Sequence, residues 1–329
     1  MKHIGKLLII AGCLVFAGVI CMFAGMGILW RHGTKAVYIN ANGNGNRDNY
    51  VSQEYRTEVD GIEVLETDLG SDDVTIQYAE GNQFVIQYTD DAQNPTYSIT
   101  NENGKLKIRH QENFSLLSGQ WVIDLFGDDK NSIDYGEVVI QVPKEYAGAY
   151  DIGFSSGSVT MEDMSVAEGV AVDMSSGSLN FSDISCQKGI QVVMTSGSVD
   201  FLNVSCEEDL QMDMTSGSLN FTNVTTKGEL KLDASSGNMD VNKASASKLL
   251  IDITSGDVDI EELTVEQGVS VEVTSGNVEM ELTDKKENYT IYADVLSGDC
   301  NLPEVYENGA KEISVSVTSG MVDVIFAEE

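Results

Sequence analysis

The sequence predicts an all-β protein, a parallel β-solenoid (β-helix) of about 20-residue coils preceded by one N-terminal transmembrane helix. Three observations support this prediction. Nine Ser-Gly pairs recur at spacings of 19 to 22 residues, apolar residues alternate with polar ones on both sides of each pair, and an uncharged run of 23 residues lies near the amino terminus. A repeat of this length with strand-like alternation is typical of stacked coils that share one core.

The apolar run at residues 7–29 predicts a membrane anchor at 7–30, after a short N-terminal tail at 1–6. A helix rises about 1.5 Å per residue, so a run of this length spans a hydrocarbon core of about 30 Å. Two alternatives remain, a signal peptide cleaved near residues 24–27 and a lipoprotein attached through Cys13. The run is longer than the apolar region of a signal peptide, and the residues after Cys13 stay apolar, which favours the anchor.

Residues 31–58 predict a flexible polar linker, because an Asn- and Gly-rich stretch at 40–46 follows the apolar run. The basic residues give almost no preference for either membrane orientation of the predicted helix, because Lys2 and Lys6 precede the apolar run and Arg31 and Lys35 follow it. An acidic body is repelled by an anionic inner leaflet. The prediction is therefore a single-pass protein of the cell membrane whose folded body is extracytoplasmic.

Residues 59–149 predict an irregular N-terminal β region that caps the solenoid. Short apolar runs separated by Gly, Asn and Asp indicate strands at 62–65, 74–78, 84–88, 97–99, 105–108 and 138–143. The spacing of these runs is less regular than that of the later repeats.

Residues 150–329 predict the regular β-solenoid repeats. In one repeat the alternating apolar residues are Val170, Val172 and Met174 before Ser176-Gly177, and Leu179, Phe181, Ile184 and Cys186 after it. Alternation with a period of two places one side of each strand in a core, and the glycine indicates a turn. Stacking of the repeats at about 4.8 Å would then align equivalent residues in columns.

Three polar columns follow from this alignment. A hydroxyl column precedes the Ser-Gly pairs at Ser155, Ser175, Thr195, Thr215, Ser235, Thr254, Thr274 and Thr318, and an amide and acid column follows them at Asn180, Asp200, Asn220, Asp240, Asp259 and Asn301. An outward acid column contains Asp173, Asp213, Asp233, Asp252, Glu272 and Asp294, and it is interrupted at Gly153 and Val193. Stacked carboxylates leave Ca²⁺ binding open, but a solvated acidic face is the interpretation we favour, and no cofactor is predicted.

Composition excludes other classes of function. Lys and Arg total 19 against 53 Asp and Glu, a net charge of −34, which excludes nucleic acid as a partner. No His follows His110, and the repeats contain no long insertions to wall a cleft, so the sequence predicts no enzyme and no catalytic, cofactor-binding or metal-binding residues. Cys186 and Cys206 occupy one position of the repeat and are predicted to be buried free thiols.

From about residue 59 to the end, the sequence resembles the bacterial DUF4097 family, whose members carry an adhesin label. The resemblance lies in the strand pair at 73–76 and 84–86, the strand at 138–143 that ends in Pro-Lys, and the recurring Ser-Ser-Gly-Ser-Val units. It implies a membrane helix followed by a solenoid and an association with cell-envelope stress responses. The family supplies no catalytic residues.

The predicted function is that of a membrane-anchored cell-envelope protein that presents an acidic β-solenoid as a non-catalytic binding or scaffolding surface. The expected partners are a cell-wall or host glycan or an envelope protein, together with the membrane itself through the N-terminal helix. The first residues to test on this surface are Ser178, Asn180, Ser198 and Asp200. The alternative is a regulator or sensor of envelope stress that acts through a membrane or extracytoplasmic partner.

Overall fold

The computed structural model describes residues 50–111 and 137–327, so the predicted tail at 1–6 and the transmembrane segment at 7–30 lie outside the described residues. Within residues 50–111 and 137–327 the structure contains no helix that could span a bilayer. The strands are β1 (Tyr50–Glu58), β2 (Val64–Leu69), β3 (Asp73–Tyr78), β4 (Gln83–Asp91), β5 (Tyr97–Glu102), β6 (Lys105–His110), β7 (Glu137–Val142), β8 (Ala149–Phe154), β9 (Ser158–Val166), β10 (Val170–Met174), β11 (Ser178–Cys186), β12 (Ile190–Met194), β13 (Ser198–Cys206), β14 (Leu210–Met214), β15 (Ser218–Thr226), β16 (Glu229–Leu282), β17 (Tyr289–Cys300), β18 (Val305–Tyr306) and β19 (Lys311–Phe326). A short 3₁₀ helix, Lys286–Asn288, precedes β17.

The repeats form two parallel ladders in which equivalent residues pair in register. One ladder contains β8, β10, β12 and β14, and the other contains β9, β11, β13 and β15, with β16 continuing both. Alternate residues of these strands are buried, as the period-two pattern predicts. The rings of Phe181, Phe201 and Phe221 stack in the core with centroids 5.0 Å apart.

Two kinds of corner join the strands of a repeat. Each Ser-Gly pair ends in a glycine of positive φ, such as Gly197 at +131°. A second corner has positive φ at Asp163, Asp183, Asn203, Asn223, Lys243 and Glu262. Asn and Asp adopt this backbone conformation more readily than other side chains, which explains their frequency at the second corner.

The predicted fold class, a parallel β-solenoid preceded by a transmembrane helix, is wrong in its solenoid part, while the segment predicted as the helix lies outside the described residues. The described residues are all-β, but their sheet is mixed, with antiparallel pairings of β1 with β4, β4 with β7, β5 with β6 and β17 with β18. The hairpin of β5 and β6 turns through Asn103-Gly104, both of positive φ. An Asn-Gly pair between two alternating runs is a strong hairpin signal, so this part of the mixed sheet was detectable in the sequence.

The order of the strands in the sheet also differs from their order in the chain. Near the amino-terminal end, β2 lies between β6 and β8, and β3 lies between β7 and β9. At the other end, β19 lies between β16 and β17. Alternation specifies which face of a strand is buried but not which strand lies beside it, so the repeat pattern could not predict these inserted strands.

The predicted linker also differs from the structure at its end. Tyr50–Glu58, which the sequence places in the flexible segment, forms β1 and pairs with β4 over its whole length. The boundaries of the capping region at 59–149 and of the repeats at 150–329 stay predictions.

Candidate binding face

The outward residues of β11, β13 and β15 form a continuous surface that we call the polar face. Its members are Ser178, Asn180, Ser198, Asp200, Ser218 and Asn220. Ser178 pairs with Ser198 and Ser198 with Ser218, while Asn180, Asp200 and Asn220 pair in the same way. Parallel pairing in register repeats each polar group at about 4.8 Å along the stack. The four residues that the sequence selects for testing therefore lie side by side.

Hydrogen bonds run along the polar face from one repeat to the next. Ser198 Oγ donates to Ser178 Oγ at 3.1 Å, and Asn220 Nδ2 donates to Asp200 Oδ1 at 2.6 Å. When an amide lies next to an acid in the column, the two side chains form a hydrogen bond. Two carboxylates at the same positions would repel each other. The remaining lone pairs of these groups stay available to an external donor.

A shallow depression of about 290 Å³ continues the polar face toward the later repeats. Its lining residues are Asn220, Phe221, Thr222, Asp240, Val241, Asn242, Asp259 and Glu261. Asn242 Nδ2 donates to Glu261 Oε2 at 2.8 Å, and no basic side chain is among the lining residues that the structure describes. The depression is open and acidic, and it has the chemistry to accept hydroxyl or ammonium donors.

The outward acid column has one interruption in the structure beyond those that the sequence shows at Gly153 and Val193. Val193 separates Asp173 from Asp213 in the ladder, and Ser316 of the inserted strand β19 separates Glu272 from Asp294. Lys231 Nζ lies 2.5 Å from Asp233 Oδ2. In the part of the chain that the structure describes, no three His, Cys, Asp or Glu side chains are grouped to hold a metal ion. The Ca²⁺ hypothesis therefore gains no support from the geometry, and the prediction of no cofactor stays a prediction.

An ion cluster occupies the outward side of β2, β6 and β8. Glu66 contacts Lys107 Nζ at 2.7 Å and Lys105 Nζ at 3.1 Å. Burial by itself raises the pKa of Glu66, but the hydrogen bonds from Lys107 and Lys105 outweigh it and hold that pKa below its usual value. Burial, and then the charge of Glu66, raise the pKa of the neighbouring Asp151. Two lysines neutralise this carboxylate pair, which is the arrangement of a structural ion cluster.

The two thiols of the repeat are buried and free. Cys186 pairs in register with Cys206, and both are at most 3% exposed. Burial raises the pKa of Cys186 and raises that of Cys206 to about 12. Both side chains therefore stay protonated at neutral pH and act as small apolar groups.

A buried polar cluster near the amino-terminal end has no counterpart in the sequence analysis. The carboxylate of Asp72 lies 2.8 Å from His110 Nδ1 and accepts a hydrogen bond of 2.5 Å from Tyr97 Oη. The Tyr97 and His110 rings stack at 4.1 Å, and the side chains of Asp72 and His110 are 1% and 2% exposed. Asp72 occupies the position at which the later repeats have the glycine of the Ser-Gly pair. The replacement of that glycine by an acid is the feature of the sequence that could have indicated the cluster.

Comparison with known families gives one match over most of the chain. The profile described as Toastrack DUF4097 matches residues 62–325. No curated protein matches the sequence significantly.

Several solved bacterial structures match most of the chain at low sequence identity. A "putative lipid binding protein" from Parabacteroides distasonis is 17% identical, with 86% of this chain and 98% of that chain covered and a TM-score of 0.46. A "putative adhesin" from Parabacteroides merdae is 13% identical, with 86% and 98% covered and a TM-score of 0.45. A "putative adhesin" from Bacteroides fragilis is also 13% identical, with 84% and 97% covered and a TM-score of 0.41.

Proposed function

This chain belongs to the DUF4097 family, and from that premise we propose that it is a membrane-anchored cell-envelope protein whose polar face binds an extended polymer without catalysis. The single observation that carries the proposal is the register of the polar face, in which Ser178, Ser198 and Ser218 form one column and Asn180, Asp200 and Asn220 another. A surface that repeats its hydrogen-bonding groups at a fixed interval suits a ligand that also repeats.

The chemistry of the polar face favours a hydroxyl-rich ligand such as a cell-wall or host glycan. Its outward groups are hydroxyls, amides and carboxylates, all of which accept hydrogen bonds from sugar hydroxyls. The surface is flat or shallow along several repeats, which allows many weak contacts with a long chain. A net charge of −34 opposes binding to polyanions, so neutral or cationic polymers are the expected ligands.

The location of the body is the first part of the proposal to test. Protease added to intact cells is expected to remove the β domain, detected by an antibody against residues 311–326. A cytoplasmic protein must stay intact in the same cells, and the purified chain must be cleavable under the same conditions. A β domain that survives until the cells are lysed, while the purified chain is cut, would overturn the extracytoplasmic location.

Binding to a polymer can be tested by sedimentation of the full-length chain, held in detergent, with purified cell-wall sacculi. The triple variant Asn180→Lys, Asp200→Lys and Asn220→Lys is expected to weaken binding roughly tenfold, because it replaces three aligned acceptors with bulky donors. A matched control makes the same change of four charge units on the same repeats, with lysines at Ala171, Gln191 and Asp213 in the other ladder.

The control distinguishes a specific surface from a general charge effect. An equal loss in both variants would contradict the polar face as the binding site. If neither sacculi nor a glycan array binds, and deletion of the protein changes envelope-stress gene expression without loss of attachment, the alternative role of regulator or stress sensor replaces the adhesin role.

A further inference from the structure

The last strand of the parallel ladder, β17, has one edge that is mostly open. Its inner edge pairs with β19 along Tyr289–Cys300. On its outer edge, β18 pairs only with Ile291 and Tyr292, and one further bond runs from Ala293 N–H to Glu304 O at 3.0 Å. Across the described ranges, no strand pairs with the outer edge from residue 294 to residue 300.

Among the residues that the structure describes, no strand takes up the backbone hydrogen-bonding groups of this open edge. The N–H of Ala293 points outward to Glu304, and successive residues of a strand direct their N–H and C=O groups to opposite edges. The N–H and C=O of Val295 therefore point to the same open edge as those of Ala293. Such an edge is a template for an added strand.

The side chains on this rung depart from the repeat pattern in a way that favours a contact. In spatial order the hydroxyl column runs from Thr274 of β16 to Thr318 of β19, but β17, the last strand of the stack, has Leu296 at this position. Leu296 is 82% exposed, Val305 is 59% exposed and Tyr292 is 42% exposed. Three exposed apolar side chains at one open edge form a surface that an added strand would cover.

The charges at the edge decide between the possible occupants. Asp294 and Asp299 flank Leu296, and both are exposed. Antiparallel pairing of β17 with β17 of a second copy, centred between Leu296 and Ser297, would place Asp294 directly opposite Asp299 twice. Like charges opposite each other destabilise a strand pair, whereas opposite charges stabilise it. A second copy is therefore disfavoured, and a strand with basic ends is favoured.

We propose that the open edge of β17 is a docking site for an extended segment of another protein, in which basic residues flank an apolar centre. The segment adds to the sheet at residues 294–299, covers Leu296 and pairs its basic residues with Asp294 and Asp299. This contact is separate from the polar face, which lies on strands of earlier repeats, and it does not depend on polymer binding.

The test uses the full-length chain in detergent and two capped peptides whose charged residues are five positions apart, as Asp294 and Asp299 are, namely Lys-Thr-Val-Val-Thr-Lys and Glu-Thr-Val-Val-Thr-Glu. The lysine-ended peptide is expected to bind roughly ten times more tightly than the glutamate-ended one, and to slow amide exchange in residues 294–300. The double variant Asp294→Lys and Asp299→Lys is expected to reverse this preference.

A matched control separates the edge from the general acidity of the protein. Asp252→Lys and Asp257→Lys make the same charge change at equivalent positions of an inner repeat, where both edges of the strand are occupied, and should leave the preference unchanged. Equal effects of the two double variants, protection of amides elsewhere in the chain, or no binding of the lysine-ended peptide would each overturn the proposal. Association of the chain with itself through β17, shown by sedimentation velocity, would replace it with a homodimer.

Discussion

Gly197→Ala is expected to lower the free energy of unfolding by about 4 kcal/mol. Gly197 has a φ of +131°, and a Cβ atom there would lie 2.3 Å from Gly177 O and 2.9 Å from Gly177 N. Positive φ costs an alanine roughly 1–2 kcal/mol, and forcing a methyl group into a filled space costs roughly 1–3 kcal/mol more. The blocking atoms belong to the backbone of the neighbouring repeat, so no side-chain rotation can relieve the contact.

The variant Gly81→Ala separates the cost of positive φ from the cost of the close contact with the neighbouring repeat. Gly81 also has positive φ, at +103°, but no atom lies within 4 Å of the position of its Cβ. The expected loss is only the conformational part, roughly 1–2 kcal/mol. Urea denaturation followed by circular dichroism gives both values, and equal losses in the two variants would contradict the role of close backbone approach in the stack.

Asp72→Ala is expected to destabilise the protein by roughly 3–5 kcal/mol. The change removes the acceptor for Tyr97 Oη and the partner of His110 Nδ1, and the His110 side chain, which is 2% exposed, stays in the interior. Loss of one member of a buried pair is more harmful than loss of the pair, because the remaining polar group keeps its desolvation penalty. The double variant Asp72→Leu and His110→Leu should therefore recover part of the lost stability.

The neighbouring residue provides the control for this prediction. Asp73 is exposed, and its carboxylate accepts one hydrogen bond of 2.6 Å from Ser158 Oγ. Asp73→Ala should change stability by less than about 1 kcal/mol, since water replaces an exposed hydrogen bond. Urea midpoints for the three variants decide the matter, and a loss for Asp73→Ala as large as that for Asp72→Ala would show that the buried cluster has no special role.

Much of the candidate site follows from the sequence because it depends on local periodicity. The alternation around Leu179 and Phe181 assigns Ser178 and Asn180 to the outer side of their strand, and the 20-residue spacing aligns them with Ser198 and Asp200. Neither inference needs knowledge of distant parts of the chain. The buried thiols at Cys186 and Cys206 follow in the same way, because their position in the repeat faces the core.

The buried cluster and the open edge could not be derived by the same means. Asp72 and His110 are 38 residues apart and meet because β2 pairs with β6, a contact that neither local pattern indicates. Leu296 lies at the end of the stack because β19 inserts beside β16 and leaves β17 as the last strand. Read in chain order, Leu296 would have been an interior member of the hydroxyl column.

The sequence by itself determined that the chain is built from β-strands, which side chains face the core, and that equivalent polar groups align in columns. These properties depend on the two-residue period of a strand and on the 20-residue repeat, both of which are local. Only the tertiary structure decided which strands are neighbours, where pairing is antiparallel and which edge stays open. Strands with the same alternation can pair with several others at similar energy, so the choice rests on turns, close backbone contacts and buried polar groups from distant segments.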